Sequence, residues 1–329
     1  MGSIPPASTP PPPWVELPPE ITTIILQKLG TIEILTTVQL VCKTWRDLCV
    51  DPAMWRIIDL RNDMRNDGSL LDSAYDLEKI CRHAVDRSQG QLIDINIEFF
   101  GTDDLLCYIS HRSGQLRRLR LVFCYHLSGE ALSKAVKKMP YLEELQLYYT
   151  RITKEAIEAV GHSCPHLKCF RLNSQGFRRP QIECDEEALA VAENMPSLCH
   201  LQLFGNKMTN EGLKAILDGC HHLESLDLRH CFNLCLEGSL ERRCSQQIKE
   251  LKRPHDSTED YEFECHIEDF ESSDEDYSFR FSDIDHMSLD DDYYEFSDLD
   301  DEYFDYADLM FELHTSFSVP LVSVLRMEI

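Results

Sequence analysis

The apolar positions of this chain return to one figure, L-x-x-L-x-L. It stands at Leu116/Leu119/Leu121, Leu142/Leu145/Leu147, Leu167/Phe170/Leu172, Leu198/Leu201/Leu203 and Leu223/Leu226/Leu228, with a looser copy at Leu92/Ile95/Ile97. Successive copies begin 24, 26, 25, 31 and 25 residues apart, and the long step falls where "SQGFRRPQIEC" is inserted. Self-similarity at such a period marks a stack of supersecondary units, none of which buries its apolar face alone. Ser128, Thr153 and Thr209 each open a run with Glu two residues on, residue types that cap free backbone N–H groups and suit the positive end of a helix. The runs keep helical spacing, as in Leu132/Val136/Met139, Ile157/Val160/Cys164 and Leu213/Ile216/Leu217/Cys220. Pro140, Pro165 and Pro196 then stop three of the helices. Each unit reads strand, turn, helix, breaker.

The turn after each strand carries Cys124, Thr150, Gln175, Asn206 or Cys231, and the position three residues before each figure reads Ser113, Met139, Cys164, Met195, Cys220. A metal ligand or nucleophile could not be exchanged for Met between repeats, whereas a small buried side chain could. The cysteines are therefore read as structural. No C-x-x-C pair occurs among the 14, which argues against zinc and redox chemistry together. Residues 90 to 235 resemble the cysteine-containing leucine-rich repeats of intracellular solenoids. Strand alternation then turns Arg118, Arg120, Glu144, Gln146, Tyr148, Arg171, Asn173, His200, Gln202, Phe204, Asp227 and Arg229 outward. They are the candidate partner-binding face.

The segment from Trp14 to Leu60 does not follow this period. "WVELPPEITTIILQKL" places Leu17, Ile21, Ile24, Ile25 and Leu29 on one broad helical face, with Leu26 off its edge. Pro18 and Pro19 suit a helix start, and Gly30 is expected to close the helix. Two more short helices follow, one with Ile32, Ile34, Leu35 and Val38, the other with Val41, Cys42, Trp45, Leu48 and Cys49. "MWRIIDL" then reads as a strand that begins the sheet. Three helices in so short a stretch expose more apolar surface than they can hide from one another, so a partner is expected to cover the rest.

This stretch resembles an F-box: Leu17, Pro18 and Glu20; Ile25, Leu26 and Leu29; Leu40, Val41, Cys42 and Trp45; Asp51, Pro52 and Trp55. It looks most like the short plant members with leucine-rich repeats. The resemblance implies docking on a Skp-type adaptor, which hangs from a cullin, through Leu17, Pro18, Ile21, Ile25, Leu26, Leu29 and Val41, with Trp45 in the core. It implies that the repeats select an unknown protein substrate of an SCF-type E3 ubiquitin ligase. The competing expectation is a scaffold or regulatory binding protein that acts through repeats and tail without a ligase.

Charge changes the picture at one end. The chain carries −26 overall, but residues 254 to 313 hold 24 Asp or Glu against Arg280 alone, together with 13 Phe or Tyr. Residues 1 to 253 hold 33 acidic and 30 basic residues. A nearly neutral body with an acidic tail lacks the cationic surface that nucleic acid requires. Such charge density disfavours compaction, so the tail is expected to be mostly disordered, after a last helix containing Arg242, Arg243, Lys249, Lys252 and Arg253. One alternative is that the acidic-aromatic run rests on basic patches and occludes the solenoid.

"MGSIPPASTPPPPW" lacks the basic and apolar regions of a signal peptide, and "VPLVSVL" is too short to span a bilayer. An intracellular protein, in nucleus or cytoplasm and without membrane contact, is expected. There is no Gly-rich phosphate loop, H-E-x-x-H or G-x-S-x-G. No catalytic residue, metal or cofactor is expected.

The predicted architecture is α/β. It comprises a Pro-rich disordered leader at 1–13, a three-helix F-box at 14–60, a short leucine-rich-repeat solenoid at 61–253 closed by a capping helix, and the acidic tail at 254–329. The solenoid is expected as a curved parallel sheet with outer helices.

Overall fold

Eight parallel strands lie side by side in chain order: β1 (Ile57–Leu60), β2 (Asp94–Glu98), β3 (Arg118–Val122), β4 (Glu144–Tyr148), β5 (Cys169–Asn173), β6 (His200–Gln202), β7 (Ser225–Asp227) and β8 (Glu250–Lys252). The computed structural model describes residues 17–61, 76–174, 176 and 182–263. The leader at 1–13, most of the insertion after Asn173 and the tail from residue 264 lie outside them, as do the expectations placed there.

The register explains why the leucine figure recurs. Ile58, Ile95, Leu119, Leu145, Phe170, Leu201, Leu226 and Leu251 are successive partners across the sheet. Of these only Leu251, on the last strand, is not fully buried. At ~1.5–3 kcal/mol for each buried aliphatic side chain, such a row is what holds neighbouring repeats together. Helices α5 (Leu77–Arg87), α6 (Asp103–Arg112), α7 (Gly129–Val136), α8 (Lys154–Ser163), α9 (Glu186–Asn194), α10 (Asn210–Gly219) and α11 (Gly238–Gln247) alternate with the strands. The helices before β1 are α1 (Pro19–Leu26), α2 (Thr31–Glu33), α3 (Gln39–Val41) and α4 (Lys43–Val50), a π-turn at Ile34–Val38 joining α2 to α3.

Repeat junctions are tied by caps. Ser128 and Thr209 accept from Ala131 N and Glu211 N at 3.1 and 3.2 Å. The carboxylate of Asp103 in turn receives the amide and hydroxyl of Ser128, each at 2.7 Å, so one helix start holds the next. Thr153 occupies the N-cap position of α8 but makes no capping bond; its hydroxyl is engaged by the Glu155 carboxylate. Cys124, Cys164, Cys220 and Cys231 of the repeats face inward. Cys164 and Cys220 approach Met139 O and Met195 O of the preceding repeat at 3.7 and 3.5 Å, and burial pushes their thiols up to about 12 and 11.

The amino-terminal helices share one apolar cluster with the solenoid, running from Leu26 to Ile248. Trp55, buried after α4, donates its indole N–H to Cys49 O at 2.8 Å. Arg87 at the end of α5 lies over the Trp55 ring at 5.5 Å and donates to Gln39 Oε1 and Cys49 O at 3.1 and 3.3 Å. Asp59 N of β1 donates to Thr31 Oγ1 of α2 at 3.1 Å. The first repeat is therefore built against the helices, and the two share one core.

Four expectations need correction. Gly30 does not close α1, which ends at Leu26; with φ −68° it precedes α2 as its N-cap. The last helix stops at Gln247, leaving Lys249 outside it and Lys252 in β8. The solenoid therefore ends on a strand, since Ile248 and Leu251 repeat the step of Leu223 and Leu226 one period later without the third apolar residue. Residues 254–263, assigned to the acidic tail, rest on the sheet.

Candidate interaction surfaces

Two surfaces carry the residues singled out in the sequence. The first is α1. Thr22 and Leu26 face the interior, Leu26 with no exposed area, while Ile21, Ile24, Ile25 and Leu29 are 46, 54, 39 and 42% exposed. A helix normally buries its greasy side; this one buries a narrow edge and turns the broad side outward. Leu40 and Val41 of α3 are also exposed. Of the residues expected to meet an adaptor, Pro18, Ile21, Ile25, Leu29 and Val41 are at the surface and Leu17 is half-buried. Leu26 is the exception: sealed into the chain's own core, it is not available to a partner. Ile24 and Leu40 are open but were not among the expected contacts, although Ile24 lay on the broad face read from helical periodicity. Trp45 is half-buried and packs against the core.

The second surface is the strand face of the sheet opposite the leucine row. Asp59, Asn96, Arg120, Gln146, Arg171, Gln202, Asp227 and Lys252 are register partners in one polar row. Beside it run Asp94, Arg118, Glu144, Cys169, His200, Ser225 and Glu250. Directly after β2, β3 and β4, three aromatic residues adopt left-handed backbone: Phe99 (φ 75°), Phe123 (φ 52°) and Tyr149 (φ 54°). Bulky side chains avoid that region. Here their amides extend the ladder to Val122 O, Tyr148 O and Asn173 O at 2.9, 3.0 and 2.8 Å, and their rings stack at 5.0 and 4.7 Å.

A short strap closes part of this face. His230 N donates to Pro254 O at 3.0 Å, after which residues 254–263 turn back across the strands. Asp260 pairs with Arg229 and Lys252; the Lys252 and Arg229 contacts hold its carboxyl down to about 2. Tyr261 stacks on Phe204 and receives Asn173 Nδ2 on its hydroxyl at 3.2 Å. Glu262 accepts from Arg120 Nη2 at 2.9 Å. Phe263 stands edge-on to Phe123 and Tyr148, both at 5.3 Å.

This contact alters the expected partner-binding face. Arg118 and His200 are exposed, and Arg120, Glu144, Gln146, Arg171 and Gln202 are half-buried. Tyr148, Asn173, Phe204, Asp227 and Arg229 are buried instead of open. Tyr148 lies under Phe263, Asn173 and Phe204 under Tyr261, and Arg229 is held between Asp227 at 2.7 Å and the strap. Beside the strap a cavity of about 770 Å³ remains, lined among others by Gln146, Arg171, His200 and Gln202. The sequence did not single out Arg61, which also lines it, nor the Phe99, Phe123 and Tyr149 stack; Lys252, read as part of a basic helix, lines it from β8. Among the described residues no group of three or more His, Cys, Asp or Glu is placed to hold a metal ion. No helix among them is long and apolar enough to cross a membrane.

A small helical module with an apolar outer face, continuous with a parallel leucine-rich sheet, defines an F-box protein with leucine-rich repeats. Residues 14–61 match the F-box-like family, residues 91–185 the leucine-rich repeats of the FBD-associated F-box protein At5g56370, and residues 194–217 and 219–231 the leucine-rich-repeat family. The chain is 52% identical over 247 residues to the F-box protein SKIP19 of Arabidopsis thaliana, covering 75% of this chain and 79% of that protein. It is 51% identical to the putative F-box/LRR-repeat protein 23 of the same plant, covering 74% and 54%, and 47% identical to the putative F-box protein At4g05475, covering 76% and 82%. The chain belongs to the F-box/leucine-rich-repeat family.

Proposed function

We propose that this protein is the target-selecting subunit of an SCF-type E3 ubiquitin ligase. Its amino-terminal helices dock on a Skp-type adaptor and through it on a cullin, and its repeats bind the protein to be ubiquitinated. The chain supplies no catalytic group of its own; it supplies position. The observation that carries this reading is the outward turn of Ile21, Ile24, Ile25 and Leu29 while Leu26 anchors the same helix. Each aliphatic side chain removed from water on docking contributes ~1.5–3 kcal/mol, before the losses of freedom that association entails. The Trp55–Arg87 junction supports the second half of the reading, because a target held by the repeats is then held at a fixed orientation to the adaptor.

The test is co-purification from co-expressing cells with a Skp-type adaptor. Wild type should carry the adaptor through affinity and size-exclusion steps, and Ile24→Asp with Ile25→Asp should not. Adaptor capture by the double variant at the wild-type level would refute the assigned contact.

A further inference from the structure

The strap shows what chemistry the sheet face takes. Around the cavity the sheet and its edge contribute Arg61, Arg120, Arg171, Arg229 and Lys252. Arg61 is paired with Asp59 at 2.7 Å, whereas Arg120, Arg229 and Lys252 all reach carboxylates of the strap, Glu262 and Asp260. Between them the strap alternates acid and ring. Tyr261 lies flat on Phe204 with centroids 4.1 Å apart, and Phe263 stands edge-on to Phe123. A concave face with spaced cations and aromatic seats accepts an extended segment bearing carboxylates and rings at alternate positions. "DYEF" at 260–263 is such a segment, and "DYSF" at 276–279 and "YYEF" at 293–296 keep its two rings with one of its two acids further along the chain.

We propose that the sheet face is a receptor for a short peptide of alternating acidic and aromatic residues carried by the protein target, and that Asp260–Phe263 is a tethered occupant the target must displace. This rests on the reading of the repeats as the target-selecting part. A tethered segment competes at an effective concentration of order millimolar, so an isolated weak ligand is turned away while a well-matched or multivalent one is admitted. Displacement transfers Arg120, Arg229, Lys252 and the Phe204 ring from one carboxylate-and-ring set to another, which leaves no buried cation unpaired.

The experiment is hydrogen–deuterium exchange on the full chain with and without the free peptide STEDYEF, the sequence of residues 257–263, at about 1 mM. Exchange across residues 257–263 of the protein should rise at least threefold with the peptide, and should not rise with STENYQF, in which both central carboxyls are amides. In the full-length Arg120→Glu variant, labelled STEDYEF should bind at least tenfold more weakly by fluorescence anisotropy, with thermal melting reporting that the fold persists. No rise in exchange, or an equal rise with the amide peptide, would overturn the proposal. Adaptor capture is measured on the same samples. Peptide displacement without adaptor capture would support the receptor and remove the ligase role, and adaptor capture without displacement would do the reverse.

Discussion

Tyr261 lies on Phe204 with the two rings 7° from parallel, joining a segment that belongs by composition to an acidic tail to the sixth strand's turn in the repeat sheet. An offset or parallel aromatic pair is worth ~0.5–1.5 kcal/mol beyond its buried area. The hydroxyl adds the bond from Asn173, itself buried. Tyr261→Ala should therefore release the strap while leaving the repeats folded. Amide exchange across residues 254–263 should quicken several-fold, with Tm lowered by no more than a few degrees. Unchanged protection there would show that the stack does not hold the strap.

Trp55 makes a different kind of prediction, because it stands where helices and repeats meet. Trp55→Ala empties a fully buried site and removes the bond to Cys49, which should cost about 3–5 kcal/mol. The amino-terminal helices and the first repeat should lose protection together. Arg87→Ala, which removes the cation over the ring and the bonds to Gln39 and Cys49 but leaves the indole in place, should cost less. Separate melting of the helices and the solenoid in the wild type would contradict a shared core.

How much of this could be read from the chain depended on the range of the forces involved. The leucine row was legible because each strand repeats one local pattern, and the exposed face of α1 because its periodicity lies within eight residues. Leu26 was misplaced because the F-box resemblance named it a contact, although helical periodicity had already set it off the broad face. β8 was missed because Arg253 stands where a third apolar residue would complete the figure. The strap was legible only as an alternative to disorder, because nearby acids repel one another and suggest an open chain, while two of the cations that offset them, Arg120 and Arg229, are distant in sequence.

A pH response follows from His83 on α5. Burial, with a smaller contribution from Arg87, lowers its imidazole to about 4, and its Nδ1 is buried without a hydrogen-bond partner. Above about pH 6.5, the unfolded value, the ring is neutral in both states. Between there and pH 4 the unfolded chain takes up the proton first, so stability falls as pH falls. About 1 kcal/mol, discounted for the ring's partial exposure, corresponds to roughly 2–4 °C in Tm. His83→Leu should flatten that part of the pH–Tm curve; an unchanged slope would exclude this ring as its source.

The thiols divide sharply by position. Cys124, Cys164, Cys220 and Cys231 are buried and their thiols are raised by burial, while Cys107 and Cys235 are exposed. Because the thiolate is the reactive form, brief alkylation of the native protein followed by mass spectrometry should label Cys107 and Cys235 and spare the other four until the repeats unfold. Early labelling of Cys164 or Cys220 would argue against their structural role.

The central claim is that α1 is completed by another polypeptide, and calorimetric titration of a Skp-type adaptor into the full chain tests it most directly. The account predicts binding with a negative heat-capacity change, as apolar burial requires. It also predicts at least hundredfold weakening by Ile24→Asp with Ile25→Asp, and no change from Arg120→Glu on the sheet face. Equal affinity for wild type and the double variant, or no binding by either, would contradict it.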